Sequence, residues 1–309
     1  MTVAIFLVVA ILFALASIPF GDLVNFKVGH LQTNVAIIIT IWLASRFIDR
    51  RRFSETGIYF KKSWWMDFGF GLLLGIILMT IIFLVEQALG WVTISETYRT
   101  ESPEQSFTTA IIFTALFFLS VGIAEELAFR GYLLPNLAEG LNSRLIKPNA
   151  AIMISWIFTS VIFGIGHLVN PNATLVSAIN IALGGIFLGF AYVLTGSLAI
   201  PVGLHISWNF FQGNVFGFPV SGSTEWSTTF VAVEQSGPEF WTGGPFGPEG
   251  GLIGLLGFLS GMAITALWIR FRNGRLALYT QIAIPPEITS TKQSEVPSPS
   301  IRGDTGIDP

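Results

Sequence analysis

FTTAIIFTALFFLSVGIAEELAFR, residues 107–130, is the stretch on which the fold turns. From Phe107 to Ala124 it is apolar enough to cross a membrane; two adjacent carboxylates follow, Glu125 and Glu126, and then Arg130. An ionisable side chain at bilayer depth costs at least roughly 2.5 kcal/mol on insertion scales, so three together mark a functional site by default.

Comparable apolar stretches run through the rest of the chain, at about residues 3–20, 33–48, 67–86, 150–169, 174–195, 198–216 and 251–271. Each is long enough to span a hydrocarbon core of roughly 30 Å. With 107–124, which continues to about 138, they predict an all-α polytopic membrane protein of about eight transmembrane helices and an intramembrane active site. Composition agrees: 52% of residues are hydrophobic and 11% charged, where ordinary soluble domains carry about 25% charge. Stretch 3–20 reads as a span and not as a signal peptide, because it has no basic leader and no small-residue cleavage site. The absence of cysteine excludes disulfides and thiolate nucleophiles.

Orientation follows from Lys and Arg, which accumulate in cytoplasmic loops near helix ends. Arg46, Arg50, Arg51, Arg52, Lys61 and Lys62 crowd one connection, and with eight spans Arg144, Lys147, Arg270, Arg272 and Arg275 fall on the same side. The other side carries Lys27 and Arg99 among many carboxylates. Both termini are therefore expected in the cytoplasm, of a prokaryotic plasma membrane. Residues 1–272 form one transmembrane domain, and 273–309 a cytoplasmic tail that is largely disordered, with five prolines between 285 and 309. Residues 87–106 read as a polar, acidic loop, and 217–250, rich in Gly, Pro and Trp, as a long external loop anchored at the membrane surface by Trp226 and Trp241.

Three short constellations carry the chemistry. In Glu125-Glu126-Leu127-Ala128-Phe129-Arg130, residues four apart share a helix face, so Glu126 pairs with Arg130. Glu125 lies about 100° around the helix and stays free to take a proton from water. In Phe163-Gly164-Ile165-Gly166-His167, the glycines let a helix or a substrate backbone approach the histidine. In His205-Ile206-Ser207-Trp208-Asn209, His205 and Asn209 share a face, which Ser207 does not, so a serine nucleophile is disfavoured. Each constellation has a plain alternative: an ion-pair lock for the first, interhelical hydrogen bonds for the others.

Together these groups do one of two kinds of work. Glu125, His167 and His205 match a two-histidine, one-carboxylate Zn2+ site with an open position for water. Without metal, Glu125 and His167 deprotonate the water while His205 and Asn209 stabilise the tetrahedral oxyanion. Both give amide hydrolysis, and the residues leave the choice open.

The ordered set Glu-Glu-x-x-x-Arg, Phe-x-x-x-His and His-x-x-x-Asn resembles the CPBP, or Abi, family of intramembrane proteases, which includes the type II CAAX prenyl endopeptidases. The likeness covers about residues 105–215 and extends to Gly131-Tyr132-Leu133, Gly196-Ser197-Leu198 and Pro201. It implies a membrane endopeptidase whose pocket opens toward the cytoplasmic leaflet. Glu125 would be the general base, Glu126 and Arg130 a supporting ion pair, His167 a partner in water activation, and His205 with Asn209 the oxyanion or metal-binding pair. The partners expected are a peptide or protein substrate, prenylated or membrane-embedded, and the lipid bilayer; nucleic acid is not one. The rivals are a non-catalytic binding or immunity protein on the same fold and a proton-coupled transporter. Against the latter, the motifs show no inverted repeat.

Overall fold

The computed structural model describes residues 26–101, 104–224 and 228–285. The stretch 3–20 and Trp226 lie outside them, as do residues 286–309. The protein is an integral membrane protein built almost wholly of helices. In chain order these are α1 (Phe26–Leu43), α2 (Lys62–Ala88), α3 (Phe107–Glu126), α4 (Leu134–Leu141), α5 (Pro148–Gly166), α6 (Leu175–Thr195), α7 (Ala199–Phe210) and α8 (Leu252–Asn273). Among the described residues six helical stretches are long and apolar enough to cross a bilayer, and α3 and α4 form one of them, Phe107–Leu141.

α7 is shorter, and it is held at the centre. It crosses α2 with the backbones in contact: a Cβ on Gly71 would collide with the Ile200 carbonyl, and one on Gly203 with the Phe68 carbonyl. Small residues allow this approach where lipid offers no hydrophobic driving force between helices. Ser207 is spent here, since its hydroxyl donates to Gly203 O at 3.0 Å on the face toward Gly75.

Two regular helices lose their winding near the motifs. Leu127–Leu133 and Phe211–Val215 are π-helical, directly after Glu126 and shortly after Asn209. Such widened turns are rare and occur often at functional sites.

The two loops expected outside the core are ordered against each other. Val92–Arg99 (β1) pairs antiparallel with Thr229–Gln235 (β2), from Val92 opposite Gln235 to Arg99 opposite Thr229, with a bulge between Ile94 and Glu96. Tyr98, Phe107 and Phe230 pack edge to face beside the sheet, and Gln235 Nε2 donates to the buried Glu86 of α2 at 2.6 Å. The alternation in VTISETYR and TFVAVEQ is a strand pattern that a loop reading passes over. Trp241 packs near Trp91, 6.2 Å between ring centres, so a membrane-anchor reading accounts for only part of its surface.

The tail also begins in order. Tyr279 N donates to Val193 O at 2.8 Å, Asn142 Nδ2 donates to Ala283 O at 2.9 Å, and Ile282 and Ala283 are buried. The Tyr279 ring covers Gly196, just before α7, and Leu198, wholly buried, donates its N–H to Gly57 O at 3.0 Å.

Candidate active site

Glu125 and Glu126 stand at the C-terminal end of α3, and the helical offset between them decides their surroundings. The side chain of Glu126 is 0% exposed, whereas that of Glu125 is 26% exposed and lines a cavity of about 280 Å³. Arg130 Nη1 donates to Glu126 Oε1 at 2.7 Å, the pairing expected at a spacing of four. Its Nη2 donates to Gly185 O of α6 at 3.1 Å, and its guanidinium carbon sits 4.7 Å over the Phe163 ring. A charge so enclosed is tolerable only with its partners in place.

Glu126 does more than neutralise Arg130. His205 Nδ1 donates to the same oxygen, Oε1, at 2.8 Å. A carboxylate offers only lone pairs there, so Nδ1 carries the proton and the ring orientation is set by Glu126. The opposite nitrogen, Nε2, faces Glu125 Oε2 at 3.8 Å. That separation is too long for a direct hydrogen bond and suits one molecule held by both groups. Sequence spacing showed the Arg130 bond but not this one, because α3 and α7 lie 79 residues apart at the contact.

His167 lines the same cavity from the end of α5. Its Nδ1 donates to Phe163 O at 2.7 Å, which leaves Nε2 as the basic nitrogen. Phe163 thereby gains a physical role that its place in the motif did not explain. Besides seating Arg130 and accepting from His167, its ring lies 4.6 Å from the His167 ring and meets that of His205 edge-on at 6.4 Å. One aromatic residue fixes three charged or basic partners.

Asn209 also lines the cavity, one helical turn beyond His205. The paired glycines beside His167 separate in function. A Cβ on Gly164 would collide with the Ala178 carbonyl of α6, while one on Gly166 would meet nothing within 4 Å. Gly164 thus serves helix packing, and Gly166 does not. His30, in α1, reaches the cavity edge, 6.5 Å from the Phe117 ring.

The metal reading meets a geometric test. Glu125, His167 and His205 border one cavity, yet among the described residues no group of three His, Asp or Glu side chains is disposed to hold a metal ion. His205 and His167 each donate from Nδ1 to a carboxylate or a carbonyl, which leaves Nε2 as the available nitrogen of each, and the Nε2 of His205 stands 3.8 Å from the Glu125 carboxylate.

The connections outside the membrane complete the walls. Val220, Ser221, Ser223 and Glu249 contribute from the long segment after α7, and Asn170 and Pro171 from the turn after α5. Glu249 Oε1 accepts from Ser221 N at 2.6 Å, while Oε2 is buried without a hydrogen-bond partner. Burial pushes its carboxyl up to about 7, with the bonds from Ser221 and Gln212 opposing. Asn170 Nδ2 donates to Ser221 O at 3.0 Å and Asn172 Nδ2 to Gly222 O at 3.1 Å, which ties the two rim segments together. Nothing in the composition of 217–250 pointed to a cavity wall.

Residues 107–211 match the family described as Type II CAAX prenyl endopeptidase Rce1-like, a segment that contains all seven motif residues from Glu125 to Asn209. The likeness read from the motifs is thus borne out over that segment, at the level of a membrane protease family. A protein of Bacillus subtilis (strain 168), "Uncharacterized protein YyaK", is 27% identical over 175 residues, which cover 55% of this chain and 54% of the relative. The chain therefore spans about half the length of the curated relative that it matches. No solved structure matches.

Proposed function

We propose that this chain, Rce1-like over residues 107–211, is an intramembrane endopeptidase that hydrolyses a peptide bond with water activated by Glu125. The observation that carries the reading is the contact across the cavity: Glu125, partly open to it, stands 3.8 Å from the Nε2 of His205, whose Nδ1 donates to Glu126, itself held by Arg130.

Water held between Glu125 and His205 gives a proton to Glu125, and its oxygen adds to the scissile carbonyl carbon. The carbonyl π pair moves to oxygen. His205 and Asn209 lie on the same side of α7 and donate to that oxyanion as it forms. Glu125 and Glu126 carry two negative charges against one on Arg130, so an imidazolium at His205 brings the cluster to neutrality and supplies the second donor proton. As the intermediate collapses, the C–N bond breaks and the proton on Glu125 passes to the leaving amine. His167, with a basic Nε2 on the same cavity, assists proton transfer.

Detergent-purified wild type and Glu125→Gln are compared on fluorogenic CAAX-type and transmembrane peptides, with and without chelator. Cleavage confined to the wild type and indifferent to chelator is expected. Equal cleavage by the variant removes the general-base assignment, and loss on chelation returns the site to metal chemistry. Absence of cleavage with every peptide favours the binding or immunity reading.

A further inference from the structure

We propose that the start of α2 is a binding site for an anionic phospholipid with a polyol headgroup, whose phosphate sits on Lys61 and Lys62 and whose acyl chain follows the outer face of the helix. The site lies apart from the cavity around Glu125, so the inference goes beyond the peptidase reading and does not depend on it.

A phosphate needs charge and donors, and both are present. Residues 49–62 hold five basic side chains, Arg50, Arg51, Arg52, Lys61 and Lys62, against two carboxylates, Asp49 and Glu55. Arg51 is already committed: its terminal nitrogens donate to Glu139 at 3.0 and 2.8 Å, and its Nε stands 4.0 Å from Asp49. Lys61 and Lys62 are exposed and make no ion pair among the described residues. α2 also begins without a side-chain cap. Trp65 N donates to Lys61 O at 3.2 Å, and the N–H groups of the turn before it have no acceptor within the helix. Two ammonium groups and the positive end of a long helix therefore converge on one spot.

A recess of about 760 Å³ adjoins that spot, bordered by Lys61, Ser63, Tyr59 and Tyr279. In its wall the Arg51 side chain is 9% exposed, and Arg51 Nε is buried without a hydrogen-bond partner. Glu55 and Glu139 border the recess too, so an anion is not what enters it. A neutral polyol fits: its hydroxyls can donate to the carboxylates and accept from the tyrosines and Ser63. The phosphate stays at the mouth, on the lysines.

The apolar half of a lipid is matched on the same helix. Phe60 takes φ of 41°, a left-handed conformation rare for a bulky side chain, and its exposed ring stacks on that of exposed Trp65, 5.6 Å between centres. From Trp65 the exposed positions recur every fourth residue, at Gly69, Leu73, Ile77 and Ile81. A Cβ on Gly69 would meet nothing within 4 Å. The stripe from Trp65 to Ile81 is about 24 Å long, which exceeds the roughly 15 Å of one hydrocarbon leaflet. Lys61 precedes Trp65 by four residues and so stands at the head of the stripe, on its face of the helix. Charge, recess and apolar track thus meet at Lys61. Basic and aromatic residues also anchor helix ends to any bilayer, and what distinguishes a site is preference for one lipid at one place.

The protein in neutral detergent is titrated with phosphatidylglycerol, with phosphatidylcholine and with glycerol phosphate, and bound lipid is counted by native mass spectrometry. Two double variants are compared with wild type: Lys61→Gln with Lys62→Gln at the site, and Arg144→Gln with Lys147→Gln at another basic connection. All four side chains are exposed, so neither variant disturbs the packing. Wild type should bind one phosphatidylglycerol with roughly 5- to 30-fold preference over phosphatidylcholine, the scale of one to two lysines near an anionic lipid. The first variant should lose that preference and the second should keep it. Phosphatidylglycerol brominated on its acyl chain should quench tryptophan fluorescence in wild type, and Trp65→Phe should remove most of the quenched component. Equal affinity for the two lipids, an equal loss in both double variants, or quenching unaltered in Trp65→Phe overturns the proposal. Displacement of the lipid by glycerol phosphate overturns it as well, since the ligand would then be a soluble phosphate.

Discussion

The same helices build two different halves, divided at the level of Glu125. On the basic side the packing is close. Arg130, Leu127, Leu134, Ile152 and Leu198 are at most 1% exposed, and Arg51 makes a two-pronged bond to Glu139 at 3.0 and 2.8 Å. On the other side the helices part around a hollow of about 280 Å³, walled at its far end by loop residues around Pro171, Ser221 and Glu249, and these loops depend on glycine. Gly222, for example, has φ of 83° and lies so close to the Pro171 carbonyl that a Cβ would not fit. The contrast teaches what each member of the Glu-Glu pair is for. Glu126 belongs to the packed half and holds position; Glu125 belongs to the hollow half and meets whatever enters it.

The largest test of that division is chemical. Glu125→Gln should lower cleavage by about 10²- to 10⁴-fold, the range for a general base, with the thermal unfolding midpoint in detergent nearly unchanged. Arg130→Met should do the reverse first: it strands a buried carboxylate and should cost about 3–5 kcal/mol of stability, read as a lowered unfolding midpoint before any assay of activity. A Glu125→Gln protein that unfolds as readily as Arg130→Met would break the division.

The hollow half should respond to pH through Glu249. Its carboxyl is raised from 4.5 to about 7, so the protonated form favours the folded state. That contribution is complete below the unfolded value and is lost as pH rises through about 7; the shift corresponds to on the order of 3 kcal/mol. Unfolding midpoints should therefore fall as pH rises from about 5 to 8, and Glu249→Gln should flatten the slope. An unchanged slope in the variant would assign the pH dependence elsewhere.

Two glycines sharpen the comparison at smaller scale. Gly164→Ala forces a methyl group against the Ala178 carbonyl and should cost about 1–3 kcal/mol, as overpacking does. Gly166→Ala, in a helical turn with nothing within 4 Å of its added carbon, should be neutral or gain up to about 1 kcal/mol from helix propensity. Measured side by side by thermal unfolding, a similar penalty for both would contradict the packing described for α5 and α6.

Much of the site was legible in local spacing. Glu126 with Arg130 follows from i and i+4 on one helix, and the outward turn of Glu125 from the angle per residue. Depth along the helices is less legible: at 1.5 Å per residue from the apolar-stretch ends at 138 and 198, Glu125 and His205 would differ by roughly 10 Å, yet they stand 3.8 Å apart. Two features account for it. The stretch Phe107–Leu141 has 35 residues and at 1.5 Å each runs about 52 Å, well beyond the bilayer core, so its end does not mark the membrane surface. The start of α7 is sunk within the molecule, since Leu198 and Ala199 are wholly buried and Leu198 N donates to Gly57 O. Burial of a helix start depends on what covers it, which is a long-range fact.

By itself, the sequence determined that the chain is a helical membrane protein, that a glutamate pair with its arginine sits at depth, and that two histidine motifs follow on later helices. These are properties of composition and short spacing, which hydropathy and helical geometry govern directly. Only the tertiary structure decided that His205 and Arg130 share one oxygen of Glu126, that Phe163 seats its neighbours, that residues 92–99 and 229–235 pair, and on which end the cavity lies. Each of those joins residues dozens to over a hundred positions apart, and such pairings are set by how whole helices pack, not by the local pattern along any one of them.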